Sequence, residues 1–238
     1  MTTSQSAGFS PTPWSLLRAL HADRDEERRA TDELVRRYWP VVHSYLNRAG
    51  LPPDRAEELT QSFFAEVVVG RRLFHRAEPE RGRLRTLLLT ALGRYRVDAF
   101  RRVNARVDAR AARPDGSLDL AGSEGHPARE FERAWATAQL KEALHRVEVH
   151  FVAFGKETHW RAFERYVLGP ATNGLIRPSA RELAEELAFR SPASVTAAIQ
   201  VVRTRVLATL RGVVAESVSD IADLDDEYAH VVKLLKDG

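Results

Sequence analysis

Positive charge is the first chemistry the sequence offers. Between Arg81 and Arg113 stand ten arginines against two acids, Asp98 and Asp108. The whole chain carries a net charge of only +3, so this stretch concentrates charge instead of sharing in an even spread. On a helix, Arg102, Arg106, Arg110 and Arg113 fall on one face, with almost no acids nearby to pair with them. Such a flank suits a polyanion better than a small substrate, although a solvated face on a core helix has the same composition. Tyr95 sits among Arg94, Arg96 and Arg101. An aromatic beside guanidiniums suits base stacking, worth about 1–3 kcal/mol per base, yet its place on an apolar stripe argues equally for burial.

The opposite charge gathers upstream. In DRAEELTQSFFAEVVV (Asp54–Val69), Asp54, Glu57, Glu58 and Gln61 cluster on one side of a helix, and Ala56, Leu59, Phe63 and Val67 on the other. Acids near a helix N-terminus are favoured by the macrodipole alone, so a solvated face accounts for the ridge without a function. As catalytic carboxylates they lack any His, Lys or Ser pattern that would complete a site.

Other chemistries find little support. His145, His150 and His159 come nearest to a histidine cluster, but spacings of five and nine do not share a helical turn, and HExxH is absent. No cofactor motif and no phosphate-cradling glycine loop is present. The chain has no cysteine, which excludes disulfides and thiolate metal sites and makes a reducing cytoplasm the natural home. No apolar run approaches the roughly 20 residues of a membrane span. The start, MTTSQSAGFSPTP, has neither the basic region nor the apolar core of a secretory signal. A sequence pI near 9.4 fits a nucleic-acid partner.

The elements that must position these residues all read as helices. Leu84, Leu88, Ala91, Tyr95, Ala99 and Val103 recur at three- to four-residue spacing, which predicts one helix over Leu84–Arg113. Before it come a short helix at Trp14–Ala22 and one at Asp32–Ala49, which Pro40 should kink or break near Tyr38. The ridge helix follows, then a loop over Gly70–Arg83. Pro114–Pro127 is rich in Gly, Pro, Ser and Asp and reads as a flexible linker. Beyond it, helices are expected at Ala128–Phe154, Thr158–Leu168, Ser179–Ala188 and Ala193–Ala215, the last two forming a helix-turn-helix outline. Trp39, Trp135 and Trp160 should pack in cores. The tail Glu216–Glu227 holds six acids and no base; it reads as solvated or docked back on the domain, with a short helix over Tyr228–Leu235. The expected fold is all-α: a leader at 1–11, a helical domain at 12–113, the linker at 114–127 and a helix-turn-helix domain at 128–238.

Together these segments resemble a sigma-70 family RNA polymerase sigma factor of the small, two-domain, extracytoplasmic-function type. The resemblance runs through ELVRRYWPVVHSYLNRAG (Glu33–Gly50), PPDRAEELTQSFFAEVV (Pro52–Val68) and GRLRTLLLTALGRYRVDAFRR (Gly82–Arg102), which look like regions 2.1, 2.2 and 2.3–2.4. RELAEELAFRSPASVTAAIQVVRTRVLATLR (Arg181–Arg211) looks like region 4, less specifically. The resemblance implies that Asp54, Glu57, Glu58 and Gln61 dock on the largest subunit of core RNA polymerase. It places Arg85, Arg94, Tyr95, Arg96, Arg101 and Arg102 on the proximal promoter element, where the duplex opens. Ser194, Thr196, Gln200, Arg203 and Arg205 would face the distal element. Factors of this kind are often held by an anti-sigma factor between their two domains, which the linker permits, and they are monomeric when free.

The sequence also departs from the family. Arg94 stands where many members have Asn, and Ala188 where the turn of region 4 usually has Gly. The helix face opposite the region 4 stripe offers Ala197, Gln200, Val201 and Thr204 where others present bases, leaving Gln200 as the good bidentate donor. Two further readings stay open: a sigma-like protein that binds polymerase or another partner without directing initiation, and a stand-alone helix-turn-helix repressor. No dimer seam favours the last, and no catalytic constellation favours an enzyme.

Overall fold

The computed structural model describes residues 13–47, 53–77, 84–110, 127–218 and 220–237. Among these the chain is helical throughout, with no strand. The expected leader, nearly all of the linker, and Arg113 lie outside the described residues.

The chain divides into two compact units, and not where composition suggests. One takes Pro11–Ala138 with Val214–Gly238; the other takes Gln139–Val213. The expected border at 114–127 and a single second domain at 128–238 therefore do not describe the packing.

In the larger unit, α1 (Pro13–Ala19) precedes α2 (Arg24–Asn47). α2 starts earlier than expected because Asp23 caps it: its Oδ1 accepts from the backbone N–H groups of Asp25 (3.0 Å) and Glu26 (2.9 Å). It also continues through Pro40, so of the expected kink or break near Tyr38 the break does not occur. Proline removes one helical hydrogen bond, but Leu34 and Tyr38 before it and Val41, Val42 and Tyr45 after it are all buried in one core. Full burial of each large side chain contributes about 1.5–3 kcal/mol, enough to hold the helix together.

α3 (Pro53–Phe63) passes into a π-helical stretch at Phe64–Gly70. The N–H of Arg71 donates to the carbonyl of Glu66 five residues back, at 3.0 Å. The wider turn brings neighbouring pairs inward together, so Phe63 and Phe64, then Val67 and Val68, are all buried. The expected loop after it contains a 3₁₀ turn, Leu73–Arg76, that sinks Phe74 into the core. α4, the arginine helix, spans Leu84–Arg110.

α5 (Pro127–Ala153) opens with Phe131 and Trp135, which belong to this same core. Trp135 stacks on Tyr38 at 5.3 Å, and Phe131 meets Tyr45 edge-on at 6.3 Å. Those two rings carry the first part of α5 into the larger unit. The terminal helix α10 (Leu224–Lys236) completes it, with Leu224 and Val231 buried.

The smaller unit is built by the end of α5, α6 (Glu157–Phe163) with its π-helical continuation Glu164–Leu168, α7 (Gly169–Asn173), α8 (Ala180–Glu186) and most of α9 (Pro192–Ala215). Val147, Trp160, Phe163, Leu183, Val195, Ile199, Val202 and Val206 make its core. α8 begins with a capping box: Ser179 Oγ accepts from the Glu182 N–H, and Glu182 accepts from the Ser179 N–H. Ala188, in the turn before α9, sits at φ +56°, the left-handed region that glycine occupies without steric cost.

Candidate functional site

The acidic ridge is a true surface feature. Ala56, Thr60 and Phe63 form the inner side of α3 and are fully buried, while Glu57, Glu58 and Gln61 are exposed on the other side. Thr60, a polar residue in the core, donates its hydroxyl hydrogen to the Ala56 carbonyl at 2.7 Å. Glu58 pairs with Arg55 at 3.1 Å, both half-exposed or more, a contact worth at most about 1 kcal/mol in water and easily exchanged for an external partner. The side chain of Asp54 lies outside the described residues.

The arginines of α4 separate into different environments. Leu84, Leu88, Leu92, Tyr95 and Ala99 are its buried stripe, with Leu92 in place of the expected Ala91. Arg94 and Arg101 are exposed and Arg96 is half-buried, and none of the three makes an ion pair among the described residues. The side chains of Val103, Arg106 and Arg110 lie outside the described residues.

Arg102 faces two partners instead of solvent alone. It pairs with Glu66 at 3.1 Å and lies over the Tyr95 ring, 5.6 Å from its centre. Tyr95 itself is 3% exposed and meets Phe63 edge-on at 5.4 Å. Burial raises the pKa of its hydroxyl, with the Glu66 charge adding to the rise. Tyr95 is thus a core residue joining α3 to α4, with no open face for a base. Of the two sequence readings of this residue, the structure shows burial.

Arg85 departs furthest from the expectation of an open DNA contact. Its side chain is 14% exposed and held from two directions. Nη2 donates to Glu227 Oε2 at 3.1 Å, and Nε lies 3.0 Å from Glu227 Oε1. Nη1 donates to Glu132 on α5. His230 Nε2 lies 2.9 Å from that same Glu132 Oε2. Glu227 is 1% exposed and both its oxygens face the Arg85 guanidinium, Nη2 donating to one while the buried Nε makes no hydrogen bond. The sequence reading missed Glu132, Glu227 and His230. A helical reading begun at Leu224 puts Glu227 on the apolar face with Leu224 and Val231, but nothing local in the sequence points to its partner Arg85 or to Glu132. Of the two readings of the tail, its helix docks back on the domain.

A second unforeseen cluster joins α2 to the 3₁₀ turn. Glu27 Oε1 accepts from Arg72 Nη2 at 2.8 Å and lies 2.9 Å from His75 Nε2. Hydrogen bonding from His75, more than the nearby Arg72 and His75 charges, holds the Glu27 carboxyl below its usual range.

In the smaller unit, two of the residues expected to face the distal element are occupied locally. The Ser194 hydroxyl donates to the Ser191 carbonyl at 2.6 Å, and the two serines exchange side-chain and backbone bonds that cap α9. Thr196 Oγ1 donates to the Pro192 carbonyl at 3.2 Å. Gln200, Arg203 and Arg205 are exposed. His150 and His159 both have imidazole pKa values pushed down, first by burial and then by neighbouring cations, Arg205 and Lys156 for His150 and Lys156 for His159. No group of three metal-ligating side chains exists among the described residues, and no described helix is long and apolar enough to cross a membrane. No protein-family model matches this chain, and no curated protein or solved structure matches it.

Proposed function

We propose that this protein is a sigma factor of bacterial RNA polymerase that acts in the cytoplasm. α3 docks on the polymerase core, α4 holds promoter DNA where the strands separate, and α9 is directed at a distal element. The observation that carries this reading is a pair of exposed faces of opposite sign on two helices of one unit. Glu57, Glu58 and Gln61 project from α3; Arg94 and Arg101 project from α4; Phe63 and Tyr95 pack the two helices together.

The mechanism needs no bond chemistry. Acids on a rigid helix offer a partner charge without an ordering cost. Arginines without internal partners neutralise phosphates, each worth a salt slope of about −0.9 on duplex and −0.7 on single strands. Unstacking a base costs a few kcal/mol, which capture of the flipped base offsets. With Tyr95 and Arg85 buried, Arg94, Arg96 and Arg101 carry the DNA role on α4.

The test is run-off transcription with core polymerase on the protein's own upstream region. Ala at Glu57 and Glu58 should weaken co-elution with core polymerase. Ala at Arg94, Arg96 and Arg101 should spare co-elution and reduce open-complex formation. Wild-type behaviour of both variants would remove the assignment.

One set of observations favours a second reading, a sigma-like protein that binds polymerase or another partner without initiating. Arg85 is sequestered, and the forward half of α9 exposes Ala193, Thr196, Ala197 and Val201 with Gln200 as the base-reading donor. Co-elution with polymerase but no transcript on any promoter would support it.

A further inference from the structure

The end of α5 and the middle of α9 line a cleft of about 390 Å³ within the smaller unit. Phe151 and Phe154 form one wall and Val201 and Ala208 the other. Phe154 is 69% exposed and Val201 53%. Bulky apolar surface therefore faces water on the helix that the sequence reading turned toward DNA. Here the exposed apolar side chains line a concavity instead of standing singly on a convex surface, the form that ligand and peptide sites take.

The rim is cationic. Lys156 and Arg205 line the cleft, and no carboxylate does. Neither cation makes an ion pair with a described residue. Hydrogen-bonding groups are few: the Thr204 hydroxyl and the His150 ring. His150 stays neutral near pH 7 because burial and both cations disfavour its charged form.

We propose that this cleft docks an acidic amphipathic segment of a partner protein. One bulky apolar side chain seats between Phe154 and Val201, and carboxylates meet Lys156 and Arg205. On a helix, residues three and four positions from the anchor lie on the same face as it, so an apolar anchor and its acids can be presented together. The lining argues against a nucleic acid. The α9 wall, Val201 and Ala208, is aliphatic and offers no ring on which a base inserted against Phe154 would be sandwiched. Helix-in-groove docking needs an apolar slot and charges at its border, and this cleft has both. The proposal stands on the smaller unit alone, so it survives or fails independently of polymerase docking by α3.

The test is selection of displayed peptides on the full chain, counter-selected on the Phe154→Ala/Arg205→Glu variant. Both residues are exposed, and unchanged thermal unfolding of each variant checks that the fold persists. Enriched sequences should carry Leu, Phe or Trp with two or more Asp or Glu within four positions. A synthetic peptide of the enriched sequence should lose about tenfold in affinity, ~1.4 kcal/mol, on Phe154→Ala and again on Arg205→Glu. The same peptide with Lys for its acids should not bind. The proposal is overturned by enrichment without acids, by equal affinity for the variants, or by no enrichment at all. Binding of a labelled single-stranded oligonucleotide that competes with the peptide and is itself lost in Phe154→Ala overturns it too.

Discussion

Arg85 and Arg94 stand on the same helix nine positions apart, and their surroundings make them different reagents. Arg94 is exposed and available to an anion; Arg85 is already neutralised by Glu132 and Glu227. Composition cannot separate them, because the partners of Arg85 come from far along the chain. Two predictions belong at this scale. Ala188 occupies a left-handed backbone position at φ +56°, where a Cβ costs about 1–2 kcal/mol. Ala188→Gly should stabilise the smaller unit by about 0.5–1 kcal/mol after the greater freedom of glycine in the unfolded chain is subtracted, read as a raised urea midpoint. A lowered midpoint would show that the turn tolerates Ala without strain. Glu27 has a folded-state carboxyl below the usual 4.5. Its contribution is therefore fully present above that value and is lost as pH falls through the lower, folded one. The stability difference between wild type and Glu27→Gln should vanish under acid strong enough to protonate the folded-state carboxyl; a difference that persists unchanged would rule out the carboxylate as its source.

At the scale of elements, helices that look alike in composition differ in what they bury. α3 turns a packed side inward and an acidic side outward as its periodicity implies, but the π-helical stretch that follows rotates the pattern and seats Phe64 and Val68 beside Phe63 and Val67. α10 owes its place to one buried ion pair and two aliphatic anchors. Removing the Glu227 charge leaves Arg85 with Glu132 as its carboxylate partner among the described residues and two guanidinium nitrogens short of an acceptor charge. Glu227→Gln should therefore cost about 1.5–3 kcal/mol, whereas Arg94→Ala should stay within about 0.5 kcal/mol of wild type. Equilibrium urea unfolding compares the two directly. Near-equal effects would mean that the Arg85 clamp is wet and weak.

At the scale of the molecule, the chain crosses its own expected boundary twice. The first turns of α5 and the whole of α10 join the larger unit, leaving Gln139–Val213 as the smaller one. A chain ending at Asp223 should lower the unfolding midpoint reported by Trp135, which stacks on Tyr38. It should leave the transition reported by Trp160, buried in the other core, unchanged. Single-tryptophan variants followed by fluorescence separate the two signals. Equal shifts of both would show that the terminal helix supports the two cores alike.

The sequence by itself determined the all-α class, the extent of α5 and α9, the acidic face of α3 and the presence of helices around Ser179 and after Ala188. Each of these follows from local periodicity, caps and turn chemistry, which act within a few residues of the chain. Only the tertiary structure decided that α2 runs through Pro40, that Tyr95 is core, that Arg85 is sequestered and that Arg205 borders an apolar cleft. Those outcomes depend on groups brought together from distant positions, such as Arg85 with Glu227 and Phe154 with Val201. Burial and charge pairing of that kind have no period along the chain, so no local pattern could announce them.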